Sequence, residues 1–146
     1  MELTAKKIAS ILRQSGYRLT PQRWAILQAI AASHNYAIPT EIYQRVRQKY
    51  PFIGLATVYR VLNLLDRLKL ICRVNLRGDS QGYLMRRPTG HHHHVVCSQC
   101  GRAVDFTECG LSQLEKRLSR KTGFEIEGHL LEFYGRCPDC CAKLPA

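Results

Sequence analysis

Two Cys-x-x-Cys pairs are the residues of this chain whose type and spacing best suit metal chemistry. Thirty-six residues separate the pairs, whose members are Cys97, Cys100, Cys137 and Cys140. Four thiolates meet the tetrahedral demand of a structural zinc ion. One such pair alone is also compatible with a redox dithiol, and four reduced core cysteines would not need this pairing. The spacing therefore predicts a structural zinc site.

A run of four histidines, His91–His94, lies just before the first pair. In an extended segment alternate side chains point to opposite sides, so the second and fourth histidines would share one side and the first and third the other. Imidazole suits Zn, Fe, Ni or Mn when carboxylates are added. Asp105 could serve one side and His129 the other. A solvated polar loop is the alternative, but the adjacent cysteines favour a regulatory metal.

The composition limits the class of protein. The 146 residues suffice for one ordinary domain or two small ones, and 45% of them are hydrophobic. No apolar run approaches the roughly 20 residues that cross a bilayer, and charges interrupt residues 1–30 where a signal peptide would lie. We therefore expect a cytoplasmic protein, in which seven cysteines favour metal ligation over disulfides.

The positive charge is concentrated in the N-terminal part. Residues 1–82 carry 13 Lys and Arg against 4 Asp and Glu, a net +9, whereas residues 83–146 carry 9 against 7, a net +2. Such an asymmetry favours a polyanionic partner, of which double-stranded DNA is the natural candidate. The alternative is that the charge serves only solubility.

The hydrophobic pattern predicts an α+β protein. Helical spacing covers Lys6–Gln14, a stretch that starts at Thr20, a stretch that starts at Pro39, and residues 55–69; a strand, a turn over 77–82 and a return strand follow. This is the winged helix-turn-helix order, in which the last helix enters the major groove. A hinge at 86–90 then leads to a small α/β domain with strands at 103–106 and 124–135 and a helix bearing Leu111, Leu114 and Leu118.

Four segments resemble motifs of the ferric uptake regulator (Fur) superfamily. Residues 53–63 resemble its recognition helix, 19–23 its second-helix motif, 91–101 its metal-binding segment and 135–140 its closing knuckle. The resemblance implies a metal-dependent transcriptional repressor rather than an enzyme. It implies a winged-helix DNA-binding domain over 1–85, a hinge over 86–90 and a metal-binding dimerisation domain over 91–146. The partners implied are palindromic operator DNA and a second copy of the chain, with no membrane.

The resemblance also implies roles for individual residues. The expected DNA-binding residues are Arg18, Arg23, Thr57, Tyr59 and Arg60, with Tyr59 at bases and Arg60 at a phosphate. The regulatory metal residues expected in addition to the structural zinc are His92, His94 and Asp105 at a sensing site near the hinge, and His91, His93 and His129 at a second site. The regulatory ion is expected to be Fe, Zn or Mn.

The sequence departs from the family at three ligand positions, now Tyr36, Leu84 and Ser112. Substitute ligands would come from His34, Cys72 or Cys109, and Glu108 and Glu115 lie near Ser112. Two alternatives stay open within this fold: a constitutive DNA-binding regulator whose zinc is structural, and a peroxide sensor with iron at the histidines. A zinc-dependent enzyme is disfavoured because neither His-Glu-x-x-His nor His-x-Glu occurs.

Overall fold

The computed structural model describes residues 4–33, 35–76, 80–86 and 91–143. His34, residues 77–79 of the predicted turn and residues 87–90 of the predicted hinge lie outside these ranges. The chain separates into two compact units, Met1–Pro88 and Thr89–Ala146. None of the helices in the described ranges has the length and apolar character that crossing a bilayer requires.

The first unit contains four helices followed by a two-stranded antiparallel wing. The elements are α1 (Ala5–Gln14), α2 (Pro21–Ala31), α3 (Pro39–Lys49), α4 (Leu55–Arg67), β1 (Ile71–Asn75) and β2 (Gln81–Met85). This order confirms the predicted winged helix-turn-helix. The return strand starts at Gln81, two residues earlier than expected, because the pairing of β1 with β2 extends to Asn75 opposite Gln81.

The start of α2 follows from its first residues. The Thr20 side chain accepts a hydrogen bond from the Arg23 N–H at 3.3 Å, which satisfies one of the free amides of the first turn. Pro21 occupies the first helical position, where no amide hydrogen is needed. These contacts confirm the helix start expected from the Thr-Pro pair.

An apolar core joins the helices and the wing of the first unit. Its fully buried members include Ile8, Leu12, Ile26, Leu27, Ile30, Ile42, Val58, Leu62, Leu65, Leu70, Ile71 and Tyr83. Helix α4 contributes one side to this core, and its opposite side is left to solvent. Packing on its buried side thus holds the exposed side of α4 in place.

The second unit is built on a three-stranded sheet. Its elements are β3 (His93–Cys97), β4 (Ala103–Phe106), α5 (Ser112–Thr122), β5 (Glu132–Gly135) and α6 (Pro138–Ala142). The strand order is β4-β3-β5, with β3 antiparallel to β4 and parallel to β5. This unit confirms the α+β class.

Two expectations for the second unit are wrong. The strand predicted over 124–135 is regular only from Glu132, because β5 pairs with just four residues of β3, His94 to Cys97. His129 therefore lies in an irregular segment before β5 rather than in a strand. Helix α6 was not expected; Pro138 at its first helical position, directly after Cys137, accounts for its start.

Candidate metal centres and nucleic-acid interface

The four paired cysteines meet at one point of the second unit. Their sulfur atoms all lie within 4.8 Å of one another, and the Cys100 and Cys137 sulfurs are 3.7 Å apart. Zn–S bonds of about 2.3 Å in a tetrahedron place sulfurs roughly 3.8 Å apart. The donor set and its spacing therefore fit a tetrathiolate zinc.

Backbone geometry brings the two cysteine turns together. The first turn follows β3 and closes with a Gly101 N–H to Cys97 carbonyl hydrogen bond of 3.0 Å, with Gly101 at a φ of +74° that suits glycine. The Ser98 N–H donates to the Gly135 carbonyl at 2.7 Å, which links this turn to the end of β5. The sheet thus delivers both cysteine pairs to the same edge.

The electrostatics of the cysteine cluster call for a cation. Hydrogen bonds from the backbone N–H groups of Cys100 and Cys137 lower the pKa of Cys97 to about 6. The pKa of Cys140 is raised to about 12, principally by its hydrogen bond with the Cys137 side chain and then by burial. One thiolate forms readily, but four negative sulfurs this close repel one another unless a positive ion lies between them.

The histidine run divides between the two sides of β3. The rings of His91 and His93 lie 4.4 Å apart, and those of His92 and His94 lie 5.1 Å apart. On the first side, ring nitrogens of His91, His93 and His129 and the sulfur of Cys109 lie within 4.8 Å of one another. We call these four residues the Cys109 cluster.

On the other side of β3, His94 is paired with Asp105 of β4. The two residues are opposite in the sheet register, and His94 Nδ1 lies 3.0 Å from Asp105 Oδ1. His94 is buried, and the ring of His92 contacts it edge to face. The structure therefore brings together His92, His94 and Asp105, three residues predicted for the sensing site.

The positions that depart from the family have other contacts. The ring of Tyr36 packs on Gly82 of the wing so closely that a Cβ at position 82 would lie 2.7 Å from Tyr36 Cδ2. Leu84 faces Cys72 across the wing register. Ser112 is exposed at the start of α5, whereas Glu115, one turn further on, hydrogen-bonds to His129 Nδ1. Glu108 instead accepts from the Thr107 N–H on its own loop.

The exposed side of α4 carries the expected DNA-binding residues. Tyr59 is 42% exposed, and Arg60 is exposed beside it. The Arg60 guanidinium donates to the Thr57 hydroxyl at 3.1 Å, which holds the long side chain along the helix. The side chain of Arg73, in β1, donates a hydrogen bond to Asn63 and forms an ion pair of 2.9 Å with Asp66. These two contacts attach the wing to α4.

Two further arginines lie at the start of α2. Arg23 donates to the Arg18 carbonyl, and its guanidinium carbon lies 5.6 Å from the centre of the Tyr17 ring. Arg18 itself is exposed. The hydrogen bond from Arg23 thus holds the backbone at Arg18. Of the two side chains, that of Arg18 is the more exposed.

The sequence did not place two residues beside His129. Cys109 was named only as a possible substitute ligand, and Glu115 only as a neighbour of Ser112. The available signal was a cysteine in a polar loop: Cys109 is half-buried although Thr107, Glu108 and Gly110 around it are exposed. A thiol turned inward from an exposed loop indicates contacts that the linear spacing does not reveal.

Comparison with known proteins agrees with this architecture. A peroxide-responsive repressor PerR of Staphylococcus aureus is 36% identical over 138 residues, which are 94% of this chain and 91% of that protein. A zinc uptake regulator complexed with zinc and DNA shares the fold with a TM-score of 0.77 at 23% identity, covering 94% of this chain and 92% of that one. A Pseudomonas aeruginosa ferric uptake regulator with manganese has a TM-score of 0.60 at 30% identity, over 88% and 96%.

The sequence profile of the ferric uptake regulator family matches residues 14–134, from the end of α1 to the third residue of β5. The match therefore includes α2 to α4, the wing, both sides of β3 and the first cysteine pair. The relative of 36% identity is aligned over 94% of the chain. This chain belongs to the ferric uptake regulator family.

Proposed function

We propose that this chain is a metal-responsive transcriptional repressor that binds palindromic operator DNA as a homodimer in the cytoplasm. The observation that carries the proposal is the combination of two parts in one chain. One is a winged helix with an exposed, basic recognition face; the other is a strand, β3, that presents imidazoles on both sides and ends in a four-cysteine cluster. A regulator of the family needs both a reader of DNA and a sensor of metal.

Within the first unit, α4 is the proposed reader. Its buried side fixes its position, and its exposed side offers an aromatic ring at Tyr59 and a cation at Arg60. Tyr59 suits apolar contact with thymine methyl groups in the major groove, and Arg60 suits a phosphate. Arg18 supplies a further cation for the minor groove or backbone. The net +9 of residues 1–82 adds attraction to the phosphates.

Homodimerisation is supported by apolar surface that the second unit leaves exposed. Val104, Val95 and Phe133 are aligned across β4, β3 and β5, and they are 57%, 40% and 51% exposed. Leu114 and Leu118 of α5 are 37% and 40% exposed. A row of apolar side chains across a sheet is costly in water and fits a second copy of the same face.

Cys97, Cys100, Cys137 and Cys140 are the proposed holders of the structural zinc. When bound there, zinc supplies a tetrahedral cross-link between the two ends of the second unit and neutralises the crowded thiolates. The residues themselves are prepared for this role, because backbone amides already favour the ionised form of Cys97. The Arg102–Asp139 ion pair of 2.6 Å joins the two cysteine turns but is half-exposed and contributes little by itself.

His92, His94 and Asp105 are the proposed sensing residues. Asp105 orients the His94 ring through Nδ1. The lone pair on His94 Nε2 is then available to a divalent ion. Carboxylate with imidazole suits Fe, Zn or Mn. These residues regulate DNA binding only if their affinity for the ion is higher in the DNA-binding arrangement of the chain, which is the condition for a population shift.

The proposal is tested by measuring operator affinity while a divalent ion is titrated into protein that retains its structural zinc. We expect at least a tenfold gain in affinity on adding the ion, lost in His94→Ala. Arg60→Ala should weaken binding at every ion concentration, whereas Arg117→Ala, an exposed cation on α5, should not. Equal affinity with and without the ion would reject metal regulation and favour the constitutive regulator.

Peroxide sensing is the second candidate, because a relative of 36% identity is a peroxide-responsive repressor. His92 and His94 would then be the residues oxidised when iron-loaded protein meets peroxide. Mass spectrometry of the peptide that carries them tests this, with manganese-loaded protein as the control. No added oxygen on either histidine after peroxide treatment would eliminate this candidate.

A further inference from the structure

We propose that Cys109 completes a tetrahedral metal site with His91, His93 and His129, and that Glu115 orients one of its ligands. This thiolate–imidazole site would select Zn²⁺ or an ion of similar preference over Mn²⁺. It deepens the proposed function, since the three histidines are among the expected regulatory ligands. The new elements are the thiol of Cys109, from the loop between β4 and α5, and the carboxylate of Glu115 on α5, which contacts the His129 ring.

The argument starts from the surroundings of His129 Nε2. Three ligand atoms converge on it: His91 Nε2 at 3.1 Å, Cys109 Sγ at 3.1 Å and His93 Nε2 at 3.2 Å. A single nitrogen cannot exchange good hydrogen bonds with three partners at once. Metal–nitrogen bonds of about 2.0 Å and a metal–sulfur bond of about 2.3 Å in a tetrahedron place donors roughly 3.3–3.6 Å apart, close to this arrangement.

Glu115 orients the His129 ring and selects its tautomer. Its Oε1 lies 2.5 Å from His129 Nδ1, so the proton sits on Nδ1 and is donated to the carboxylate. Nε2 is then left as a bare lone pair directed at the cluster. A carboxylate behind a ligating histidine is the usual arrangement around metals, where it fixes the ring and raises its basicity.

Burial and packing hold the other ligands. His93 is buried, and the centre of its ring lies 5.2 Å from that of Phe106. Cys109 is half-buried, while the loop residues around it are exposed. One thiolate and three neutral imidazoles give an ion of charge +2 a softer environment than carboxylates do, and tetrahedral sulfur–nitrogen sets favour zinc.

Cobalt provides the test, because Co²⁺ replaces zinc in tetrahedral sites and shows thiolate-to-cobalt charge transfer only when a sulfur is bound. Full-length protein with the four-cysteine site kept as zinc is cleared of exchangeable ions by mild chelation. It is then titrated with Co²⁺ under a phosphine reductant. We expect the charge-transfer band in the native chain and its loss in Cys109→Ser. Glu115→Gln should keep the band but raise the Co²⁺ dissociation constant by about 10–100-fold.

A cysteine variant outside the candidate regulatory ligands is the matched control. Cys141→Ser removes an exposed thiol next to the second cysteine pair and should keep the band. A band that persists in Cys109→Ser, that disappears in Cys141→Ser, or that is absent from the native chain would overturn the proposal. Operator binding plays no part in this readout, so a failed repressor hypothesis leaves it unaffected, and the reverse also holds.

Discussion

The two units of the chain are stabilised in different ways. In the described part of the first unit, four helices and the wing share one apolar core in which side chains such as Leu62 and Leu65 are fully buried. In the described part of the second unit the buried side chains are Val96, two cysteines and two histidines, and α5 contributes none. We therefore expect the first unit to be stable through packing and the second to depend on the proposed zinc and the proposed partner surface.

Removal of the structural zinc is the largest perturbation that this comparison predicts. Binding of zinc to small domains contributes on the order of 10 kcal/mol to folding. Stripping the ion with a strong chelator should abolish hydrogen-exchange protection in β3, β4 and β5 while α2 and α4 keep theirs. Simultaneous loss of protection in α4 would show that the units do not differ as described. Cys141→Ser should behave as the native chain does.

A core truncation tests the other half of the comparison. Leu65 has 0% exposure in α4, and Leu65→Ala should lower the free energy of unfolding of the first unit by about 2–5 kcal/mol through lost burial and a cavity. Leu118→Ala on α5 is the control, because its side chain is 40% exposed. Urea unfolding followed by far-ultraviolet circular dichroism, which reports the helices of both units, measures both. An equal loss in the two variants would contradict the proposed difference in packing.

The wing of the first unit should tolerate even a small addition poorly. In Gly82→Ala the new Cβ would lie 2.7 and 2.8 Å from the Tyr36 ring atoms Cδ2 and Cγ and 2.9 Å from Tyr36 Cβ, and overpacking of this kind costs about 1–3 kcal/mol. Tyr36→Gly removes all three atoms and should reduce that cost, which a double-mutant cycle of unfolding free energies would reveal. Strictly additive effects would show that the contact does not constrain the wing.

A charge on the sheet of the second unit should act on assembly more than on folding. Val104→Asp places a carboxylate in the proposed interface, and we expect at least a tenfold weaker dimer, or about 1.4 kcal/mol. Sedimentation across a concentration series measures the shift, with Glu127→Gln as a control on an exposed loop position. An unchanged dimer constant would place the interface elsewhere.

The elements that local chemistry determines were predictable from the sequence. Thr20 and Pro21 start α2, and Ala103–Phe106 forms a strand with the expected bounds. The strand expected over 124–135 failed because its extent depends on how much of β3 is available for pairing. Periodicity within a segment does not reveal the length of its partner.

For the candidate sites, too, the local features were predictable and the contacts between distant segments were not. The cysteine spacing and the alternation of the histidines are local, and they were expected from the residues alone. The place of Cys109 beside His129 depends on the path of two irregular segments, 107–111 and 123–131, that no period describes. Tyr36 on Gly82 is likewise a contact between distant positions, set by the bridge from Ala37 to Tyr83.

The alternation of β3 has a genetic consequence. Deletion of any one of the four histidines yields the same protein sequence. The register of β3 is fixed at its Cys97 end, where the cysteine turns anchor the strand. A copying slip that removes one histidine codon would therefore leave imidazoles at positions 92 to 94 and bring glycine to position 91, the exposed end of the run. Repetition protects the buried members from such an error and confines the loss to the outermost ligand.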